Sequence, residues 1–101
     1  MTDVYILINS AFDAIKIGMS GNVSQRIATL NSGVPAPFRV YATYTAHTRE
    51  LAHEIESEMH SFLADCRCIN GEFFDICPEI AYDELNRIGH MICYGDQVPY
   101  Y

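Results

Sequence analysis

The chain has 101 residues, half of them hydrophobic, and a formal net charge of −7, a composition that fits a folded globule and excludes a disordered or fibrous chain. Its length supports one core and not two, so a single domain over residues 1–101 is expected. No apolar run approaches the roughly 18 to 20 residues of a membrane-spanning helix, and no basic segment precedes the apolar run in MTDVYILINS, so a soluble, cytoplasmic protein without membrane contact is expected.

Residues 4–8, VYILI, form a continuous apolar run rich in β-branched side chains, the pattern of a strand buried on both faces. A short connection over residues 10–13 leads to a second run, residues 14–18, AIKIG. The two lie too close together for a crossover helix and therefore pair as an antiparallel hairpin. Alternation puts Ile15 and Ile17 on one face and Lys16, the only lysine of the chain, on the other.

Gly18 and Gly21 bracket a turn, after which Ser20 or Asn22 can cap a helix with Val23, Ile27 and Leu30 on one stripe and Arg26 beside it. Asn31-Ser32-Gly33 ends that helix, and Pro35-Ala36-Pro37 forbids its continuation. Residues 38–46, FRVYATYTA, alternate as a third strand. Thr48 caps the next helix, whose core stripe is Leu51, Ile55, Met59, Phe62 and Leu63. On an adjoining face Glu56 and His60 stand one turn apart. After a loop over residues 65–70, residues 71–76 form a short strand or extended segment, and Pro78 opens a last helix with Ile80, Leu85, Ile88 and Ile92 towards the core. Residues 94–101 have no period and are expected to be a loose tail. The order β-β-α-β-α-(β)-α implies an α+β domain with a small three-stranded, mixed or antiparallel sheet packed by helices.

Cys66, Cys68, Cys77 and Cys93 all fall in the last third. A zinc site of His60, Cys66, Cys68 and Cys77 can be drawn, but its Cys-x-Cys pair is tighter than the usual zinc-ligand spacing, and half-buried free thiols are the simpler expectation. Charge is polarised along the chain. Residues 1–49 carry Lys16, Arg26, Arg39 and Arg49 against two acids, net +2, whereas residues 50–101 carry Arg67 and Arg87 against eleven acids, net −9. The total disfavours a nucleic-acid partner, yet the distribution allows a locally basic face, and the acidic half offers a surface to a protein partner.

The order of polar positions carries a resemblance. Asp3-Val4-Tyr5, Lys16-Ile17-Gly18, Arg26, then Glu56-Ser-Glu-Met-His60 and Gly71-Glu72-Phe73-Phe74 resembles the GIY-YIG nuclease superfamily, in the phage and mobile-element branch where KIG replaces YIG. It covers residues 3–85, and Asp3 departs from the first glycine of the pattern. The resemblance implies an endonuclease acting on nucleic acid, DNA in particular, with Mg²⁺ or Mn²⁺ as cofactor. It further implies Tyr5, Lys16, Arg26, Glu56 and His60 as the catalytic set and Glu56 as the metal ligand. Tyr5 would orient or deprotonate the attacking water, Arg26 would clamp a phosphate oxygen, and Lys16 would pair with the scissile phosphate as a cation. His60 would support Glu56 or give a proton to the leaving group, and Glu72 would join the metal shell or hold Arg26. These residue types suit the chemistry, since one carboxylate suffices for a hard ion that keeps its waters, and Arg presents a planar fork to phosphate. The alternative is a catalytically inactive module of the same fold that binds nucleic acid or protein, to which the acidic balance and the scarcity of basic residues point.

Overall fold

The computed structural model describes residues 1–33, 35–68 and 73–95. Strands β1 (Thr2–Asn9) and β2 (Phe12–Ser20) pair antiparallel, with Tyr5 opposite Gly18, Ile6 opposite Ile17 and Leu7 opposite Lys16. The expected connection over residues 10–13 is tighter than its composition suggests. Asn9 Oδ1 accepts from the Ala11 N–H at 2.8 Å, closing the chain on itself and leaving only Ser10 and Ala11 between the strands.

Helix α1 (Val23–Asn31) uses both candidate caps in series. The Ser20 hydroxyl accepts from the Asn22 N–H at 3.0 Å, and Asn22 Oδ1 accepts from the Gln25 N–H at 3.1 Å. Past its end, Gly33 takes φ +76°, a backbone that side-chain-bearing residues rarely adopt. Asn31 then serves as a surrogate strand: its amide accepts from the Phe38 N–H at 2.7 Å and donates to the Phe38 carbonyl at 3.1 Å, opening β3 (Phe38–Ala46). Thr48 caps α2 (Arg49–Phe62) by accepting from the Leu51 N–H at 3.1 Å. A 3-10 turn (Ala64–Cys66) follows, then β4 (Phe73–Phe74) and α3 (Pro78–Tyr94).

The sheet has the order β3-β1-β2-β4 and is antiparallel throughout. Of the segment expected at residues 71–76, Phe73–Phe74 form a strand, the fourth of a sheet expected to have three, with Phe74 opposite Ile15 and Phe73 opposite Lys16. β1 lies between β2 and β3, which is why its apolar run is continuous. Val4, Ile6, Ile15 and Ile17 turn to one face and meet Ala52, Ile55, Met59 and Leu63 around α2, and Ala81, Leu85 and Ile88 of α3. Burying each of the larger aliphatic chains stabilises the fold by about 1.5–3 kcal/mol. Tyr5 and Leu7 are as deeply buried but stand outside that cluster, on the opposite face, where α1 lies against β2 and β3.

Two expected core positions are not in the core. Phe62 is 53% exposed and carries the Arg87 guanidinium 5.5 Å from its ring centroid, because the inward direction of α2 follows Ile55, Met59 and Leu63 and leaves Phe62 at the flank. Ile80 is 54% exposed, and Ala81 takes the inward place. Ile80 stands five residues before Leu85, well over 100° round an α-helix from it, whereas Ala81 is four before and nearly in line. Among the described residues no helix is long and apolar enough to cross a membrane. The tail expected to be loose begins within α3, and residues 96–101 lie outside the described residues.

Candidate functional site

The site is built around three consecutive residues of β2, Lys16-Ile17-Gly18, each meeting a different part of the molecule. Gly18 provides space. A methyl group in its place would lie 2.5 Å from the Tyr5 hydroxyl oxygen and 2.7 Å from Tyr5 Cζ, so the phenol of the neighbouring strand rests directly on the glycine backbone. Tyr5 is 1% exposed. Lys16, two residues back on the same face, is 5% exposed, with Nζ 5.1 Å from the Phe73 ring centroid, within cation–π range. Phe73 in turn packs against Phe38, ring centroids 6.0 Å apart.

Ile17 faces the core, but its backbone carbonyl reaches α2, where it accepts from His60 Nε2 at 3.1 Å. The His60 ring stands edge-on to Phe74 at 5.0 Å, and the His60 carbonyl accepts from Arg67 Nη2 at 3.4 Å. Glu56, half-buried, precedes His60 by one turn on the same side of α2. Its level on the sheet follows from topology. Thr48, which caps α2, directly follows β3 at the end of the sheet where Ala46 pairs with Thr2 and Ser20 with Asp3. α2 descends from that end to reach Ile17 with His60, so Glu56, a turn earlier, lies nearer that end than His60 does.

Arg26 is exposed on α1. With Ser20, Asn22, Gln25 and Thr29 it lines a shallow cleft of about 220 Å³ at the same end of the sheet. A second hollow nearby on α2, of about 310 Å³, is lined by Arg49, Glu50 and His53. The structure thus joins Tyr5, Lys16 and His60 through one β2 tripeptide, sets Glu56 one helical turn away, and leaves Arg26 at the surface. Glu72 and Gly71 lie outside the described residues.

Phe73 had no role in the sequence reading beyond its motif. That it underlies Lys16 was signalled only by its being an aromatic in an extended segment, and its partner depends on a strand pairing that local sequence does not reveal. Ser20, Gln25 and Thr29 were likewise missed as neighbours of Arg26, although for Thr29 the i, i+3 spacing on α1 contains that information.

Among the described residues no group of three or more His, Cys, Asp or Glu side chains could hold a metal ion. The zinc arrangement of His60, Cys66, Cys68 and Cys77 is therefore not formed; the four cysteines are free thiols, with Cys66, Cys68 and Cys93 half-buried. A single-carboxylate site is a different case. Among the described residues the Glu56 carboxylate makes no hydrogen bond or ion pair, which leaves its oxygens open to a hard cation that takes its remaining ligands from water and substrate.

A small α+β domain, with a four-stranded antiparallel sheet and polar residues gathered along its second strand, is the class that this geometry defines. Residues 3–89 match the T5orf172 domain, and the chain belongs to that family, which occurs in phage and mobile-element proteins. No curated protein and no solved structure matches the chain.

Proposed function

We propose that the chain is a divalent-metal-dependent endonuclease that hydrolyses DNA phosphodiester bonds by a GIY-YIG-type, one-metal mechanism. The observation that carries this reading is that one β2 tripeptide bears Lys16, seats the Tyr5 phenol on Gly18 and binds His60 through the Ile17 carbonyl, with Glu56 a turn from His60 on α2. The order of motifs over residues 3–85 and the family match over residues 3–89 support it.

Hydrolysis requires water to attack phosphorus as the bond to the leaving oxygen breaks, with negative charge building on the non-bridging oxygens and the leaving oxygen. Glu56 would hold Mg²⁺ or Mn²⁺, which when bound would neutralise charge on those oxygens. Lys16, fixed over Phe73, presents an ammonium on the same face as the Tyr5 phenol. Tyr5, seated on Gly18, orients the attacking water or, as a phenolate, takes its proton. Arg26 clamps a phosphate at the surface, helped by the Asn22-capped start of α1, whose free N–H groups favour an anion. Arg26 and Arg49 are both exposed at the end of the sheet where α1 and α2 begin, which provides a basic entry for DNA on an acidic protein.

The test is nicking of supercoiled plasmid and of single-stranded DNA in Mg²⁺ and in Mn²⁺. Glu56→Ala should lower the rate at least a hundredfold, by analogy with the cost of losing groups around a bound metal, and leave DNA binding intact. Wild-type protein that leaves both substrates uncut in both metals would sink the proposal.

A second reading has one observation in its favour. Tyr5 and Lys16 are 1% and 5% exposed, as residues that fill space would be, and this suits a catalytically inactive module of the same fold that binds nucleic acid or a protein partner. Such a module binds DNA without cutting, or binds a protein through its acidic half, and its affinity is indifferent to Mg²⁺ and to Glu56→Ala.

A further inference from the structure

We propose that His60 is a positioning residue: by donating Nε2–H to the Ile17 carbonyl it sets the place of Glu56 relative to Lys16 and Gly18, and it is not the proton donor to the leaving oxygen. The inference deepens the nuclease reading and rests on it for its catalytic part alone.

β2 presents its outer edge to β4. Among the described residues β4 pairs with Ile15 and Lys16 of that edge. Ile17 is fully buried, and a carbonyl removed from water there needs a donor. His60 provides it at 3.1 Å, across 43 residues of chain. A carbonyl oxygen can only accept, so Nε2 carries a hydrogen whatever the charge of the ring.

The imidazole is not free to swing. Its ring lies edge-on to the buried Phe74 at 5.0 Å, and Arg67 braces the end of α2 by donating to the His60 carbonyl at 3.4 Å while its guanidinium lies 5.5 Å from the Phe74 centroid. Proton donation from Nε2 would require breaking the hydrogen bond that ties the His60 ring to β2. Glu56 precedes His60 by four residues, on the same side of the helix and about 6 Å along its axis. Fixing the His60 ring on Ile17 therefore fixes the rotation and height of α2 at Glu56. The neighbours of Ile17 in the chain are Lys16 and Gly18, the seats of the ammonium and of Tyr5. One hydrogen bond thus relates a helix-borne carboxylate to a strand-borne cation.

The experiment compares His60→Gln with His60→Ala. A glutamine amide nitrogen reaches the place of Nε2 and keeps the donor, whereas alanine removes it. His60→Gln should cut plasmid within about threefold of wild type, with an unchanged shape of the rate–pH profile. His60→Ala should lose about tenfold to a hundredfold and need correspondingly more Mg²⁺ for half-maximal rate, as expected when a group supporting a metal ligand is removed. Glutamine as damaging as alanine in a protein with native circular dichroism, or loss of one limb of the pH profile in His60→Gln, would overturn the proposal. Two measurements do not depend on cleavage. Nitrogen-15 spectra of the neutral imidazole should show the Nε2–H tautomer, and hydrogen exchange at the backbone amides of Gly18 and Met19 should be faster in His60→Ala than in His60→Gln. An Nδ1–H tautomer, or equal exchange in the two variants, refutes the clamp. If wild-type protein cuts nothing, the nuclease reading fails while the clamp is still decided by these two results.

Discussion

Two tyrosines lie on two glycines, on opposite faces of one sheet. Tyr5 of β1 rests on Gly18 of β2, where an added methyl would come within 2.5 Å of the phenol; Tyr44 of β3 rests on Gly89 of α3, where it would come within 2.6 Å. The steric device is the same, and the surroundings are not. Tyr44 packs against the main core cluster, beside the Cys93 thiol, and burial with that thiol pushes its hydroxyl pKa up to about 12, so the phenol stays neutral. Tyr5 lies two positions along the sheet from a lysine held over an aromatic ring, next to a strand residue tied to the helix of Glu56. A tyrosine on a glycine is thus only a way of bringing a ring close to backbone. What distinguishes a packing element from a site is which charged groups share its face.

The widest separation between the two should come from removing each hydroxyl. Tyr5→Phe is expected to lower DNA cleavage by about a hundredfold or more, the usual contribution of a group that positions or moves a proton. Tyr44→Phe should leave cleavage unchanged and alter stability by no more than about 1 kcal/mol, the net worth of an ordinary hydrogen bond. Plasmid nicking and urea denaturation on the same preparations check both. Equal activity of Tyr5→Phe and wild type would make Tyr5 a second Tyr44 and favour the binding-module reading.

Substituting the glycines tests the other half of each pair, with smaller effects. Gly18→Ala must displace the Tyr5 ring, and shifting a reacting group by about 1 Å can cost up to a hundredfold in rate. It should also lower stability by about 1–3 kcal/mol through overpacking. Gly89→Ala meets the Tyr44 ring at 2.6–2.7 Å but gains helix propensity of about 1 kcal/mol, so its net loss is expected at about 1–2 kcal/mol, with cleavage per folded molecule unaltered. A Gly89→Ala protein that folds fully yet cuts slowly would break the comparison, because it would couple the core face to the site.

Much of this was legible in the sequence wherever the information is local. The apolar run of residues 4–8 marked β1 as central, Asn22 and Thr48 marked the starts of α1 and α2, and alternation turned Lys16 away from Ile15 and Ile17. Errors arose where phase had to be chosen among several apolar residues. Ile80 and Phe62 are large and hydrophobic, yet the small Ala81 is in phase with Leu85, and Arg87 covers the Phe62 ring outside the core. What was not legible is the contact between elements. Tyr5 meets Gly18 only because β1 and β2 pair in one register, and His60 meets the Ile17 carbonyl only because α2 packs on β2. Motif spacing brought these residues together without their contacts; Phe73, the ring beneath Lys16, needed the sheet edge to be seen.

The smallest effect concerns pH, and it belongs to Tyr44. Its folded pKa, near 12, lies above the ordinary value of 10.0, so in the alkaline range the unfolded chain gives up this proton first. Between those values the native state binds more protons than the unfolded state, and stability must fall as pH rises. The contribution is complete below about pH 10 and is lost on approach to pH 12. Urea denaturation of wild type and Tyr44→Phe at pH 9, 10 and 11 isolates it, since every other tyrosine titrates in both proteins. The difference in stability between the two should be constant up to about pH 10 and then move in favour of the phenylalanine variant. A difference that stays flat through pH 11 would mean that the Tyr44 hydroxyl is as well solvated as that of a free tyrosine. In that event the contrast with Tyr5 would rest on neighbouring charge alone, with no share left for burial.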